Sequence, residues 1–302
     1  MLLAKSAGYG KGMVICMINK QTFSQKCRTY LHRPVSLLLI ILVGLSVVIT
    51  VSALGFLLVY ILYKGLPNLT PELFSWTYTS DNCSMLPSII NTLIMTIVAL
   101  LIAVPLGIFS AIYLVEYARR GNKIVGIVRL TAETLTGIPS IVYGLFGMLF
   151  FVTALKWQLS IMSGAFTMAI MVLPVVMRTT EEALMAVPDS YREGSFGLGA
   201  GKLRTVFRIT LPSAMPGILS GVILAVGRIV GETAALLYTA GSVAKIPKNL
   251  FSSGRTLAVH MYILSGEGLH VEQAYATAVV LLIVVILINM ASSALARKLK
   301  AD

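Results

Sequence analysis

Arg228 and Glu232 are the two ionisable residues in the otherwise apolar run Pro216–Ala240, within the string "GRIVGETAALLYTAG". Their spacing of four would put both on one face of a helix. Counted from Pro212 at 1.5 Å per residue, Arg228 falls about 24 Å along such a helix. An ionised side chain at the centre of a bilayer costs at least about 2.5–3.5 kcal/mol, so the pair is expected to face protein or water rather than lipid. Gly227 and Gly231 sit beside it at small-xxx-small spacing, which would let another helix or a solute approach closely. Arginine offers forked donors suited to oxyanions. On that reading Arg228 is a fixed charge in an anion pathway, Glu232 balances it when the pathway is empty, and Thr233 adds a hydroxyl. The same residues also fit a buried ion pair that only locks helices together.

A second constellation lies in "GIPSIVYGLFG", Gly137–Gly147. Pro139 removes a backbone donor and kinks a helix. Gly137, Gly144 and Gly147 thin that helix, and Ser140 and Tyr143 carry hydroxyls next to the bend. These features suit a segment that lines a passage, and equally one packed tightly on a neighbour. Glu133 is expected to pair with Arg129 one turn earlier, a structural contact.

The third constellation is polar. Between Arg178 and Leu211 the chain reads "EEALMAVPDSYREGSFGLGAGKLRTVFRITLP" from Glu181. Pro188-Asp189-Ser190 signals a helix start, with Ser190 as N-cap and Glu193 as its capping-box partner. Gly197, Gly199 and Gly201 then permit a tight turn. Leu203, Val206 and Phe207 follow at helical spacing beside Lys202, Arg204 and Arg208, and Pro212 is expected to end that segment. A short helix, a turn and a basic amphipathic helix suit insertion into a partner's groove. They also suit a surface helix that snorkels its basic side chains.

The elements that must position these groups are membrane spans. The chain has 302 residues, 57% hydrophobic and 12% charged, with mean hydropathy +0.88. Soluble domains carry roughly 25% charged residues. Six runs reach the roughly 20 apolar residues a span needs: Ser36–Tyr63, Ser88–Val115, Ile127–Leu155, Ser160–Met177, Pro216–Ala240 and Ala274–Leu295. Backbone groups in lipid must be satisfied internally, so the spans are helices. Of the 24 lysines and arginines, 18 fall on one side of this arrangement and five on the other, with Arg228 inside. That bias places both termini in the cytoplasm, and it accounts for the net charge of +12 without nucleic acid. Residues 1–35 are expected to form a basic cytoplasmic tail before an uncleaved first span; such a tail could contact anionic lipid. Residues 36–302 are expected to form one transmembrane domain. Trp76 and Trp157 suit interfacial anchors.

Several chemistries are not encoded. Cys16, Cys27 and Cys83 have no metal-like spacing. His32, His260 and His270 are scattered and are read as flank or surface residues. "GLGAGKLRT" is too short for a phosphate-binding nucleotide loop and lacks its Ser/Thr. No nucleophile–base arrangement is visible in the sequence, so the chain is not expected to be an enzyme, and no cofactor is expected.

The polar segment resembles the coupling loop of importer permeases of the ATP-binding-cassette class, with the pattern E-A-A, three residues, G, nine residues, I, one residue, L-P. Here Glu193 is followed by Gly194 and Ser195 in place of the alanines; Gly199, Ile209, Leu211 and Pro212 fall in register. "GIPSIVYGLFG", "GETAALLYTAG", "LAVHMYILSGEG" and "AYATAVVLLIVVILIN" further resemble the A-type permease of bacterial phosphate importers rather than its C-type partner, over about 86–299. The resemblance implies an all-α, six-span fold of the type I importer (MetI-like) class in the bacterial inner membrane. It implies that loop 178–212 docks on a dimeric ATPase, that a C-type permease is the second subunit, and that an external phosphate-binding protein delivers the solute. It also implies transport roles for Arg228 and Glu232. Rival readings are a permease for sulfate or molybdate, the C-type subunit itself, an ion-coupled transporter working through Arg228–Glu232, and a membrane enzyme acting on phosphate esters.

Overall fold

A computed structural model describes residues 34–119 and 121–301. Cys16, Cys27, His32, Arg120 and nearly all of the basic tail therefore lie outside the described residues. The described chain is helical, without strands: α1 Pro34–Gly65, α2 Leu86–Ile112, α3 Lys123–Thr136, α4 Ser140–Gly147, α5 Ile161–Met185, α6 Asp189–Gly197, α7 Lys202–Thr205, α8 Leu211–Val230, α9 Ala234–Thr239, α10 Leu257–Glu267 and α11 Val271–Ala301. Residues up to Tyr60 and residues from Ile61 onward form separate compact units. The described part of the first unit is α1, a run of apolar residues with no acid in its first turn.

Five helices are long and apolar enough to cross a membrane, or six when α3 and α4 count as one broken span. The expected third span is thus not a kinked helix: its two halves meet at 103°. Pro139 forces the residue before it out of the helical region and itself sits at ψ 140°. The Tyr143 hydroxyl spans the elbow and donates to the Leu135 carbonyl at 2.8 Å, satisfying an acceptor that the break leaves free.

The core centres on α2 against α5, where Met95, Ala99 and Ala103 face Met168, Met171, Val172 and Val176. Small residues set the spacing: a Cβ on Gly107 would stand 2.8 Å from Val176 Cγ1. In lipid, packing of this kind substitutes for the hydrophobic drive between helices. A second cluster joins the far end of α2 to the α5–α8 region through Leu114, Leu184, Val187, Val206 and Ile218. A third, at the start of α2, joins Leu73, Met85, Leu257, Leu264 and Val280.

His260 is not a surface residue. It is fully buried in α10, edge-on to the Tyr78 ring at 6.1 Å. Burial, reinforced by the neighbouring Arg255 charge, lowers its pKa to about 3. Arg255 is itself only 3% exposed and stacks over Tyr78 at 4.4 Å. Trp157 lies in an aromatic cluster, 5.5 Å from Phe151 and 5.2 Å from Phe166.

Candidate functional site: a broken helix and a fastened polar hairpin

The fifth run does not continue to Ala240. Helix α8 ends at Val230, and Gly231 caps it by donating its N–H to the Gly227 carbonyl. Residues 231–233 form a turn before α9. Arg228 and Glu232 therefore do not share a helix face, and no ion pair joins them. Glu232 instead accepts the Ala235 N–H through Oε1 at 3.2 Å, satisfying a donor at the start of α9. Arg228 stays in the last turn of α8, where the helix dipole favours a cation. It is half-buried and has no ion-pair partner among the described residues.

Among the described residues, nothing fills the small-residue face beside Arg228. An added Cβ at Gly227 would meet nothing within 4 Å, and one at Gly231 only the Gly227 carbonyl. The close approach occurs at Gly144, where a Cβ would stand 2.7 Å from Ala235 Cα. Thus α4 packs on α9, and the broken ends of the third and fifth runs meet. Thr233 lines a cavity of about 520 Å³ together with Ile141, Tyr238, Tyr262, Ser265 and Tyr275. Arg228 and Glu232 are not in that lining. Ser140 is half-buried in the first turn of α4. Tyr143 is buried, with its hydroxyl committed to Leu135.

The polar hairpin forms where the sequence puts it, with different detail. Helix α6 begins at Asp189, not after Ser190, and Pro188 precedes it without a side-chain cap. The Ser190–Glu193 capping box is absent because proline presets the entry, and Asp189 places an acid at the positive end. Gly199 has φ +82°, a conformation that favours glycine; Gly197 and Gly201 do not need theirs. Pro212 does not stop the second helix. A π-helical turn over Val206–Thr210 carries α7 directly into α8. Its wider winding accommodates a proline that lacks an N–H and crowds the preceding turn.

Glu193, Gly194 and Gly199 are exposed, whereas Ser195 is buried and its hydroxyl lies 2.8 Å from that of Thr205. That bond clamps α6 to α7. Ile209 and Leu211 are half-buried and Pro212 is exposed.

Arg192 fastens the hairpin to the bundle. Its Nε lies 3.0 Å from Glu116 Oε1, Nη1 donates to the Val187 carbonyl at 2.9 Å and to Asp189 at 3.1 Å, and Nη2 donates to the Leu184 carbonyl at 2.9 Å. The side chains of Arg192 and Glu116 are only 14% and 8% exposed. Lys202 adds a cation–π contact, 5.0 Å from the centroid of the Tyr117 ring. Glu116 and Tyr117 both lie in the π-helical turn Tyr113–Tyr117 that ends α2. Sequence reasoning counted Arg192 only toward topology and passed over Glu116. The two are 76 residues apart, and an acid at the end of an apolar run was the only available signal.

Nor does Arg129 pair with Glu133. It reaches Glu181 on α5 at 2.5 Å, while Glu133 meets Arg178, which also holds Glu182. The Arg129–Glu181 and Glu133–Arg178 contacts join α3 to α5.

Five apolar spans, a sixth broken at 103° and a fastened polar hairpin make the architecture of a membrane permease subunit. Residues 103–301 match the family described as "Binding-protein-dependent transport system inner membrane component", and the chain belongs to that family. It is therefore a multi-pass protein of the cytoplasmic membrane. The "Probable ABC transporter permease protein YqgI" of Bacillus subtilis is 34% identical over 82% of this chain and 90% of its own length. The "Phosphate transport system permease protein PstA 1" of Mycobacterium tuberculosis is 37% identical over 67% of each chain. The corresponding Haemophilus influenzae protein is 33% identical over 79% of this chain and 85% of its own. The fold is that of importer permeases. A chain of a bacterial alginate ABC transporter superposes with TM-score 0.61 at 16% identity, covering 85% of this chain and 95% of that one. A chain of the MetNI methionine transporter gives 0.54 at 19%, covering 71% and 94%.

Proposed function

We propose that this chain is the A-type permease of an ATP-driven phosphate importer. Both termini face the cytoplasm, as the lysine and arginine bias requires. With a related C-type permease it forms the path for inorganic phosphate, which an external binding protein delivers. The hairpin from Glu193 to Pro212 docks on a dimeric ATPase, and closure of that dimer moves the spans. The relatives named for phosphate transport support the cargo.

The single observation that carries the mechanism is the fastening of the hairpin. Arg192–Glu116 and Lys202–Tyr117 tie it to α2, and the continuous turn at Val206–Thr210 ties it to α8. A push on this hairpin moves both helices, and α8 carries Arg228 in its last turn. Arg228 supplies the fixed positive charge, without Glu232 as counter-ion. Glu232 holds the start of α9, which keeps Thr233 at the cavity wall and α4, with Ser140 and Tyr143, against α9.

Phosphate uptake by the reconstituted importer carrying Arg228→Gln tests this. The expected result is intact assembly with uptake lost. Normal uptake by that variant would remove Arg228 from the path, uptake that persists without any ATPase would favour an ion-coupled transporter, and stronger inhibition by sulfate than by unlabelled phosphate would reassign the cargo.

A further inference from the structure

Two cavities meet at the end of the bundle that carries the hairpin. One, of about 720 Å³, is a groove among α2, α3 and α5, walled by apolar residues including Phe109, Ile127, Val128, Leu135 and Leu173. The other, of about 670 Å³, is polar and contains Glu116, Arg119, Arg129, Asp189 and Arg192. Leu114, Asn122 and Val125 line both, so an apolar groove opens directly into a charged chamber.

The chamber's charges are not equally free. Arg192 is committed to Glu116 and Asp189, and Arg129 to Glu181. Arg119 is exposed and has no ion pair among the described residues, and neither has exposed Lys123, next to the shared Asn122. The junction thus presents uncommitted positive charge at the mouth of a greasy slot. A soluble anion would use the charge but not the slot; a neutral lipid or an apolar helix would use the slot but not the charge.

We propose that this composite site holds an anionic phospholipid, its acyl chain in the α2–α3–α5 groove and its phosphate headgroup at Arg119 and Lys123. The inference rests on reading the chain as a cytoplasmic-membrane permease, with this end toward the inner leaflet, and not on phosphate as its cargo. A lipid seated here lies against the π-helical turn that anchors Arg192, so it braces the same helix end that the hairpin grips.

The test is native mass spectrometry of the purified importer, with all its subunits, titrated with phosphatidylglycerol or phosphatidylcholine. Phosphatidylglycerol should bind more tightly. Arg119→Gln with Lys123→Gln should weaken it roughly twenty-five-fold, at about a factor of five for each cation, and leave phosphatidylcholine unchanged. Val128→Trp, which fills the groove, should reduce binding of both lipids. Equal affinity for the two lipids, displacement by millimolar inorganic phosphate, or indifference to Val128→Trp would each overturn the proposal. So would binding by the isolated chain but not by the importer, because the second permease would then cover the groove. Should Val128→Trp fail to assemble, the charge variant, which alters two exposed side chains, still decides.

Discussion

Removing Arg192 should detach the polar hairpin from the bundle while leaving the bundle folded. The guanidinium satisfies Glu116 and two main-chain carbonyls near the end of α5, so Arg192→Ala strands three acceptors in a poorly hydrated niche. Losing one partner of a buried pair costs about 3–5 kcal/mol. The niche keeps some water, since the guanidinium side chain is 14% exposed, so the lower figure of about 3 kcal/mol applies. If that energy is what holds α6 down, its local opening becomes roughly a hundredfold more frequent. Hydrogen exchange of the assembled importer reads this directly. Amides of α6 should lose about two orders of magnitude of protection, while those of the α2–α5 core should not change. Functionally, ATP hydrolysis should continue while phosphate moved per ATP falls. Glu116→Gln should produce a smaller effect in the same direction, and the exchanged pair Arg192→Glu with Glu116→Arg should recover part of the coupling. Unchanged α6 exchange in Arg192→Ala, or full coupling despite faster exchange, would refute the argument that this contact transmits force.

Other outcomes follow from the same geometry. Gly144→Leu should separate α4 from α9, since even a Cβ there would stand 2.7 Å from Ala235 Cα; uptake should fall although Arg228 is untouched. Gly199→Ala forces a side chain into φ +82° and should destabilise the hairpin by roughly 1 kcal/mol, seen as faster exchange confined to α6 and α7. Arg178→Ala should leave the thermal midpoint nearly unchanged, because Arg178, Glu133 and Glu182 are all exposed; a large thermal shift would contradict this. His260 titrates near 3 when folded and near 6.5 when unfolded, so the unfolded chain binds more protons between these values. Stability should therefore fall as pH drops below 6.5, by up to about 1.4 kcal/mol per unit, and His260→Phe should flatten that part of the thermal-unfolding profile.

The parts legible in the sequence are those with a periodic or local cause. Long apolar runs placed the first, second and sixth spans within a few residues because lipid tolerates little else, whereas the fourth runs on to Met185 and the fifth ends at Val230. The hairpin was legible because Pro188 and Gly199 set backbone angles that their neighbours cannot override. The misreadings share one physical origin. Gly137–Pro139 and Gly231–Thr233 were treated as features inside continuous helices, yet each ends one, and hydropathy cannot separate a kinked span from two half-helices that pack on each other. The same failure made Arg228 and Glu232 a pair: their spacing of four implies contact only while the helix continues through Gly231. The Arg192–Glu116 contact was hidden for a different reason, since a span of 76 residues carries no local signature.

The break at Gly231 also bears on how such a chain moves anions. An arginine paired to a carboxylate on its own helix would carry its neutraliser wherever α8 went, and an arriving anion would have to displace it. Ending α8 at Val230 separates the two charges and gives Glu232 an acceptor role at α9. The cation is left at a helix terminus, where its own end dipole holds it in place. Arg228→Lys then separates charge from geometry. If the forked donors matter, the lysine variant should keep assembly but transport poorly, because a point charge cannot match two oxygens at once. Wild-type uptake by Arg228→Lys would show that positive potential alone suffices, and that the shape of the guanidinium plays no part.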